Sequence, residues 1–482
     1  MKKILLLLVA LLVTTFAFQS CDDLDDNVVP AHSFIWKGLN QYYLWQEDVP
    51  ELADDRFETQ SSLDSYVESF SSPNSLFENL LYERNVIDRF SVLFPDFRVL
   101  ENRLQGVSKS NGVEYGLIYT DDSETSIFGY VRYILPNSDA SAKDIQRGEI
   151  FYAVNGTPLN DSNYQSLLGN DTYTLNFADY DGGNITPNGK ELGLTKTEYS
   201  ENPVHTTNVI TEGSHVIGYF MYNGFYSSYD NDLNEAFGEL ASQGVNELVL
   251  DLRYNSGGSV RTSTYLASMI TGQFNDEIFA REQWNTKMQG YYENNNPDAL
   301  INRFTNQLSN STPINHLNLN KIYILTTRGT ASASELIINC LQPYIDVTVI
   351  GDTTTGKNVG SVTLYDSANF SRSNVNGSHT YAMQPIVLEI LNKNGFGDYS
   401  DGIAPDIELK EDFGNLGILG DANEPLFAAA IADITGSGRF SIPTPSNDHK
   451  WFNDSKKMRR FGTEMYIENT PEDSFLLAKD LQ

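Results

Sequence analysis

The chain has 482 residues, of which 64 are acidic and 32 are basic, and its formal net charge at pH 7 is −32. Such an excess of negative charge, without a basic stripe, argues against nucleic acid as a partner. The two cysteines are Cys21 and Cys340, so we expect side-chain packing rather than disulfides to hold the core. The length is enough for about two to four domains.

The N-terminus has the pattern of a secretory signal. Lys2 and Lys3 precede an apolar run over residues 4–13, which is too short to span a bilayer and is typical of the hydrophobic region of a signal peptide. The run leads to "FQSC", in which Ser20 precedes Cys21. A cysteine at this position resembles a bacterial lipoprotein signal, and the resemblance implies cleavage before Cys21 and a lipid on its side chain.

This prediction divides the start of the chain into two segments. We expect residues 1–20 to be the signal peptide and residues 21–30 to be an acidic tether that begins "CDDLDDN". Acidic residues after a lipidated cysteine resemble the surface-export signal of Bacteroidetes lipoproteins, although a solvated tether would have the same composition. The lipoprotein resemblance implies an exported protein, anchored through Cys21 to the outer membrane on its periplasmic or cell-surface face.

Two domains are predicted before residue 200. In residues 31–103, "HSFIWKGLNQYYLW" and "SLFENLLYERNVIDRF" have the apolar spacing of helices and predict a small helical domain. Residues 104–200 begin with alternating apolar and polar positions, which predict strands. Further along, "ASAKDIQRGEIFYAVNGTPL" predicts a short helix over residues 140–145, a strand over residues 150–154 and an Asn155-Gly156 turn.

The stretch that ends in "VNG" resembles part of a PDZ domain. That family has a helix, then "GD-x-I", then "VNG", and here Glu149 replaces the aspartate. The resemblance implies a domain that binds peptide ends by strand addition. Another small β-rich domain is the alternative.

Residues 201–440 alternate strands and helices, which predicts an α/β domain with a parallel sheet. Three polar stretches each follow a short apolar strand: "YNSGG" follows "NELVLDLR", "GTASASE" follows "KIYILTT", and "TTTGK" follows "DVTVIGD". If these strands are parallel neighbours, their C-terminal ends meet in one crevice. The Gly257-Gly258 pair, Ser332 and Lys357 are therefore predicted to be neighbours. Residues 441–482 are polar and are predicted to form a loosely ordered tail.

The residue types in this crevice suit acyl transfer. A serine hydroxyl needs a base, and a buried lysine can act as one in its neutral form. Ser332 also begins a predicted helix, in a capping box with Glu335, so backbone N–H groups and the helix dipole would stabilise an oxyanion there. The N–H of Ala333 is one natural donor. Because glycine allows close backbone approach, Gly257-Gly258 is a source of the second.

Taken together, the motifs resemble those of the tail-specific, or C-terminal processing, serine peptidases. "DLRYNSGG", "GTASASE", "TTTGK" and "DGIAPDIEL" occur in that order, and the resemblance extends over about residues 105–430. The order of domains is similar to that of lipoprotein members from Bacteroidetes. The resemblance implies a multidomain α/β protein, α+β overall, with a crotonase/ClpP-like catalytic core, a PDZ-like domain and a small N-terminal helical domain.

The same resemblance implies the chemistry. Ser332 aligns with the nucleophile and Lys357 with the base, and the oxyanion hole would consist of the Ala333 N–H and the N–H of Gly257 or Gly258. The substrates would be peptides, namely unfolded or C-terminal segments of proteins, bound with the help of the PDZ-like domain. Neither a cofactor nor a metal is expected.

Two departures from the family pattern concern the residue that orients the lysine. Some members have an aspartate where this chain has Pro343, and others have a glutamine where it has Ser361. Ser361 or Gln342 is a possible replacement. The alternative function is therefore a peptide- or ligand-binding lipoprotein on the same fold, with weak or no hydrolysis.

Two further patterns would indicate other chemistry. "GDTTTGKN" nearly matches a phosphate-binding loop, but Asn358 stands where that loop needs serine or threonine. The six histidines do not follow the three strands, which argues against a Ser-His-Asp triad.

Overall fold

The computed structural model describes residues 30–120, 124–436, 449–459 and 462–468. The predicted signal peptide, residues 1–20, and Cys21 lie outside these residues. Within the described ranges, no helix is long and apolar enough to cross a membrane. The α-helices are α1 (Pro30–Tyr42), α2 (Gln60–Glu68), α3 (Pro73–Asn79), α4 (Phe97–Leu104), α5 (Tyr164–Gly169), α6 (Asp230–Ser242), α7 (Val260–Thr271), α8 (Thr286–Asn295), α9 (Ala333–Leu341) and α10 (Pro425–Thr435).

The predicted N-terminal helical segment contains helices α1 to α4 and packs directly on the rest of the chain. Thr59 and Ser72 cap α2 and α3, because their side-chain oxygens accept hydrogen bonds from backbone N–H groups three residues on. Most buried apolar side chains of this segment belong to one continuous core cluster with those of the α/β part, while Phe94 and Leu100 pack in a smaller cluster. The Leu44 N–H also donates to the Ile386 carbonyl at 2.9 Å, so the segment shares both core and backbone contacts with its neighbour.

A β-rich unit follows, built on one antiparallel sheet. The strand predicted over residues 150–154 is present, and Asn155 and Gly156 adopt the positive φ angles of a tight hairpin turn. The predicted short helix is reduced to a 3₁₀ turn over Ala140–Ala142. The sheet has the strand order β23-β3-β4-β5-β7-β8, with β3 (Val113–Tyr119), β4 (Ile127–Ile134), β5 (Ile150–Val154), β6 (Thr157–Pro158, paired with β5), β7 (Thr172–Asp181), β8 (Asn184–Thr195) and β23 (Trp451–Asp454).

The α/β part is centred on the predicted parallel sheet. Its order is β10-β11-β12-β16-β17-β22, and all neighbours except β10 and β11 run parallel. The three strands that precede the polar motifs, β12, β16 and β17, are therefore parallel neighbours, as predicted. The sheet consists of β10 (Val204–Glu212), β11 (His215–Tyr222), β12 (Glu247–Asp251), β16 (Lys321–Thr326), β17 (Asp346–Gly351) and β22 (Ile407–Glu408).

A second, mixed sheet includes the strands that follow β12 and β17 in the chain. Its order is β13-β24-β18-β21-β14-β15, with β13 (Gly257–Ser259), β14 (Ile278–Trp284), β15 (Ile301–Arg303), β18 (Val359–Val362), β21 (Ile386–Asn392) and β24 (Glu464–Ile467). The remaining strands form two small sheets, β1-β20-β19 and β2-β9, from β1 (Val92–Phe94), β2 (Val107–Ser110), β9 (Thr197–Ser200), β19 (Leu364–Tyr365) and β20 (Ala382–Gln384).

The C-terminal region differs from the loosely ordered tail predicted over residues 441–482. Its described parts, 449–459 and 462–468, contribute β23 to the edge of the β-rich sheet and β24 to the interior of the mixed sheet. The polar composition was misleading because some charged side chains of this region are buried in ion pairs, as are Asp454 with Arg132 at 3.2 Å and Lys456 with Glu201 at 3.6 Å.

Candidate active site

Ser332 lies at the junction of β16 and α9 in an unusual backbone conformation. Its φ and ψ are 65° and −119°, and a non-glycine residue in this region costs about 1–3 kcal/mol, so surrounding contacts must maintain it. The residue is fully buried, and its carbonyl accepts from the Leu336 N–H at 2.8 Å as the first turn of α9 begins. A strained serine at a strand-to-helix junction is typical of a nucleophile.

Glu335 joins the serine loop to the lysine loop. Its carboxylate accepts hydrogen bonds from the backbone N–H groups of Ser332 at 2.7 Å, Gly356 at 2.6 Å and Lys357 at 2.8 Å, and from the Thr354 hydroxyl at 2.5 Å. Ser332 and Lys357 share one carboxylate oxygen, so their backbone nitrogens are no more than two hydrogen-bond lengths apart. The predicted capping role is thus only part of what Glu335 does.

The carboxyl of Glu335 is fully buried. Burial raises its pKa above the ordinary value, against the opposing effect of the hydrogen bonds from Thr354, Lys357, Gly356 and Ser332. The Glu335 carboxylate accepts hydrogen bonds from four donors in a buried site. A substitution that places another donor there would leave an N–H group without an acceptor and would destabilise the site.

Lys357 is buried by the N-terminal helical segment as well as by the α/β part. Its side chain is fully buried, and its Nζ lies 4.9 Å from the centroid of the Phe90 ring. Its Nζ also donates to the carbonyl of Thr463 at 2.9 Å. Neighbouring Arg89 donates to the Gly356 carbonyl at 2.6 Å. The loop that carries Lys357 is therefore covered by residues nearly 270 positions earlier in the chain.

The Gly257-Gly258 pair forms β13 and requires glycine for two reasons. The φ angles are 110° and 139°, which side-chain-bearing residues rarely adopt. A Cβ atom on Gly258 would lie 2.3 Å from the carbonyl oxygen of Phe225. The two candidate N–H groups also differ, since the N–H of Gly257 donates to the side chain of Asn255 at 2.9 Å.

Asn255 connects the glycine loop to the serine loop, and we did not single it out from the sequence. It is fully buried. While its side chain binds the Gly257 N–H, its own carbonyl accepts from the Ala331 N–H and the Ser334 hydroxyl, each at 3.1 Å. The loops are further joined by the Thr355 N–H, which donates to the Thr330 carbonyl at 2.9 Å. A lone asparagine beside two glycines carries no sequence signal for such a role.

The two residues considered for orienting the lysine are in different places. Gln342 is exposed at the C-terminal end of α9, about 15 Å along the helix from Ser332 at 1.5 Å per residue, so the structure does not bring it to the site. Ser361 is buried on β18, and its hydroxyl donates to the Met465 carbonyl at 3.1 Å. Ala333, the first residue of α9, is fully buried beside Ser332.

Comparisons with known proteins place this chain in a family. The model of peptidase family S41 matches residues 216–409, and the model of the S41 N-terminal domain matches residues 31–92. Together they cover more than half of the chain, including all of the site residues described above. The chain belongs to peptidase family S41, the tail-specific or C-terminal processing serine-type peptidases.

Individual relatives are more distant. The carboxy-terminal processing protease CtpB of Bacillus subtilis is 27% identical over 215 residues, which is 44% of this chain and 38% of that protein. The chloroplastic C-terminal processing peptidase of Tetradesmus obliquus is 29% identical over 179 residues, or 35% of this chain and 34% of that protein. The match therefore spans little more than a third of the length of either relative.

A solved structure matches over more of the chain. A crystal structure from Bacteroides fragilis, assigned to the S41 proteases, superposes with a TM-score of 0.65 and 26% identity, and covers 84% of this chain and 98% of its own. The predicted multidomain α/β fold is therefore confirmed.

Proposed function

We propose that the chain is a serine endopeptidase that hydrolyses unfolded or C-terminal segments of proteins, with Ser332 as nucleophile and Lys357 as general base. The observation that carries this proposal is the shared carboxylate of Glu335, which binds the backbone N–H groups of both residues at 2.7 and 2.8 Å. Both residues are fully buried, and a lysine in a dry site is able to serve as a base in its neutral form.

The first half of the reaction acylates the serine. Neutral Lys357 takes the proton of the Ser332 hydroxyl, and the Oγ atom attacks the carbonyl carbon of the peptide. The resulting oxyanion accepts hydrogen bonds from the Ala333 N–H at the start of α9 and from the N–H of Gly258. We favour Gly258 over Gly257 because the Gly257 N–H already donates to Asn255. Each such donor contributes on the order of 3 kcal/mol of transition-state stabilisation.

The second half of the reaction releases both products and regenerates the Ser332 hydroxyl. The C–N bond breaks as protonated Lys357 gives its proton to the leaving amine, which leaves an ester on Ser332. Water then loses a proton to Lys357 and attacks the ester, and the serine recovers its hydroxyl as the acid product departs. Because the base must be neutral at the start, the rate is expected to rise toward alkaline pH; a rate that does not change between about pH 6 and 9 would contradict this mechanism.

We further propose that the β-rich unit binds substrate as a PDZ-like domain. Its support is the strand–turn pattern around Asn155-Gly156 together with the sequence resemblance.

We also propose that the mature protein is attached through a lipid on Cys21 to the outer membrane, on its periplasmic or cell-surface side. Replacement of Cys21 by serine should then move the protein from the membrane fraction to the soluble exported fraction, and an unchanged distribution would contradict the anchor.

The test of the activity is hydrolysis of unstructured peptides by the full mature chain and by three variants. Ser332→Ala and Lys357→Ala should each lower kcat/KM by at least about a thousandfold while the protein stays folded. The matched control is Ser69→Ala, on an exposed residue, which should leave the rate unchanged. If no form of the protein with Ser332 and Lys357 intact cleaves these peptides, but the chain still binds them, the chain is a binding protein on this fold instead.

A further inference from the structure

The strand β24 occupies the groove between the two strands that border the candidate site. On one side it pairs in parallel with β13, with Gly257 opposite Glu464 and Gly258 opposite Met465. On the other side it pairs in parallel with β18, with Ser361 opposite Tyr466. A segment of the chain itself therefore fills the space between the glycine pair and the strand that follows Lys357.

The backbone of this segment uses polar groups of the candidate site. The Thr463 carbonyl accepts from the Nζ of Lys357 at 2.9 Å, and the Met465 carbonyl accepts from the Ser361 hydroxyl at 3.1 Å. Since Glu464 pairs with Gly257, the peptide bond between Thr463 and Glu464 lies beside both the proposed base and the glycine strand. A bound peptide would present its own carbonyls in this manner.

The side chains of the segment are also accommodated. Met465 is fully buried in the main apolar core, and the hydroxyl of the buried Tyr466 donates to the Leu104 carbonyl at 3.1 Å. The Glu468 carboxylate accepts from the Ser259 hydroxyl and lies 3.6 Å from the guanidinium of Arg261. The segment therefore has pockets on alternate sides, as a strand added to a sheet does.

The residues that precede the segment hold it to the β-rich unit through buried ion pairs. Asp454 pairs with Arg132 at 3.2 Å and Arg459 pairs with Glu114, and both partners lie on the antiparallel sheet of that unit. Lys456 lies 3.6 Å from Glu201, the residue that follows β9. Removing one partner of a buried ion pair leaves an uncompensated charge, so such contacts resist separation. The segment is thus joined to the proposed substrate-binding unit at one end and lies in the cleft at the other.

We propose that residues 462–468, with the sequence GTEMYIE, are an intramolecular ligand that blocks the peptide groove between β13 and β18. The proposal rests on the proposed function, because it is the substrate groove of that enzyme that the segment fills. An external substrate strand must displace the segment before it can pair with either wall. The inhibited form is the one the structure shows, and activation consists of release of the segment from the groove.

Peptide binding to a variant that lacks the proposed nucleophile tests whether residues 462–468 occupy the groove. The probe is a fluorescein-labelled peptide of sequence GTEMYIE, titrated by anisotropy into the full mature chain that carries Ser332→Ala. A second protein adds Met465→Asp and Tyr466→Asp, which place two charges on buried positions and expel the strand. We expect the second protein to bind the probe at least about tenfold more tightly. The control Ile418→Asp places the same charge on a side chain that is 73% exposed and should bind like the parent.

Hydrogen exchange tests the same point in the unaltered chain, in case the double variant does not fold. Backbone amides of residues 464–467 should be protected in the wild-type protein and should lose protection when an excess of unlabelled probe peptide competes for the groove. Exchange of these amides at the rate of an unstructured peptide would overturn the proposal, as would equal probe affinity in the parent and a folded double variant.

Hydrolysis then separates this proposal from the assignment of activity. With Ser332 intact, Met465→Asp/Tyr466→Asp should cleave unstructured peptides at least about tenfold faster than the wild type. If neither protein cleaves, the proposed function fails, while the binding and exchange results still decide the occupancy. Cleavage of the chain after Thr463 by wild type, and not by Ser332→Ala, would make the segment a substrate and overturn its role as an inhibitor.

Discussion

Glu335 and Lys357 are 22 residues apart in the chain and are joined by a 2.8 Å hydrogen bond from the Lys357 N–H to the Glu335 carboxylate. The same oxygen accepts from the N–H of Ser332 at 2.7 Å. One buried carboxylate therefore determines how the backbones of the proposed nucleophile and base lie relative to each other. Glu335 does not need to touch the substrate to affect the rate.

Replacement of Glu335 by glutamine should lower kcat and leave KM nearly unchanged. The glutamine amide has the same shape, but it brings two N–H donors to a place where the neighbours are donors, so the two loops must separate. We expect a loss on the order of 10- to 100-fold in kcat, since each tenfold corresponds to about 1.4 kcal/mol. Steady-state kinetics on an unstructured peptide give the two constants.

The control for this variant is Glu235→Gln, on the exposed face of α6, which should behave like the wild type. Because Glu335 is proposed to act by positioning the two loops, the Glu335→Gln variant should still be folded by circular dichroism. Its kcat should be reduced in the steady-state assay. A kcat within about twofold of the wild type would show that the shared carboxylate is unnecessary for catalysis.

Alanine at Gly258 should abolish activity and destabilise the protein. Its φ of 139° is unfavourable for alanine, and the new Cβ would lie 2.3 Å from the carbonyl oxygen of Phe225. We expect a decrease of at least about 2 kcal/mol in the free energy of unfolding, and displacement of the strand that supplies the proposed oxyanion donor. Thermal unfolding and peptide hydrolysis measure the two effects.

Gly290→Ala is the matched control for this substitution. Gly290 lies within α8, and a Cβ there meets nothing within 4 Å. Alanine should therefore stabilise the helix by up to about 1 kcal/mol without a change in rate. Wild-type stability and rate in Gly258→Ala would show that the close approach to Phe225 is not maintained in solution.

Ionisation of the buried Asp230 carboxyl should lower the free energy of unfolding as pH rises from about 4 to 6. Burial raises its pKa from 3.8 to about 6, although its hydrogen bond from the Thr262 hydroxyl, at 2.6 Å, opposes the shift. In this interval the unfolded chain has lost the proton while the folded protein retains it, so the unfolded state is favoured progressively. Above the folded pKa the loss is complete and amounts to about 2–3 kcal/mol.

Asp230→Asn removes this dependence and keeps an acceptor for Thr262. Urea unfolding should find the variant about 2 kcal/mol more stable than the wild type at pH 7.5 and equal to it near pH 4. Asp232→Asn, on an exposed residue of the same helix turn, should leave the pH dependence as it is. Parallel curves for Asp230→Asn and the wild type would contradict the raised pKa.

Local sequence was sufficient to predict the parallel strands that position the candidate site. Short apolar strands followed by "YNSGG", "GTASASE" and "TTTGK" predicted a parallel sheet with polar residues at one edge, and β12, β16 and β17 are parallel neighbours. The prediction succeeded because parallel strands have a consistent direction and their C-terminal ends must share an edge. The Asn155-Gly156 hairpin followed from turn chemistry in the same way.

Long-range contacts could not be predicted. Phe90, from the N-terminal segment, lies against the Nζ of Lys357, and Asn255 joins two loops through its side chain and its carbonyl. Nothing in the local pattern of these residues distinguishes them from ordinary core or turn residues. Gln342 is the converse case, since it is close to Ser332 in sequence but at the opposite end of α9.

The sequence by itself predicted that Ser332, Lys357 and the Gly257-Gly258 pair lie together at the C-terminal ends of the sheet strands, because each of them follows a short apolar strand. Only the tertiary structure decided what surrounds them. The polar composition predicted a loosely ordered C-terminal region. Asp454, Lys456 and Arg459 nevertheless lie beside opposite charges that are distant in sequence, on Arg132, Glu201 and Glu114, and Met465 packs in the core. The physical reason is that burial of a charged or apolar side chain depends on partners that only the folded chain brings together.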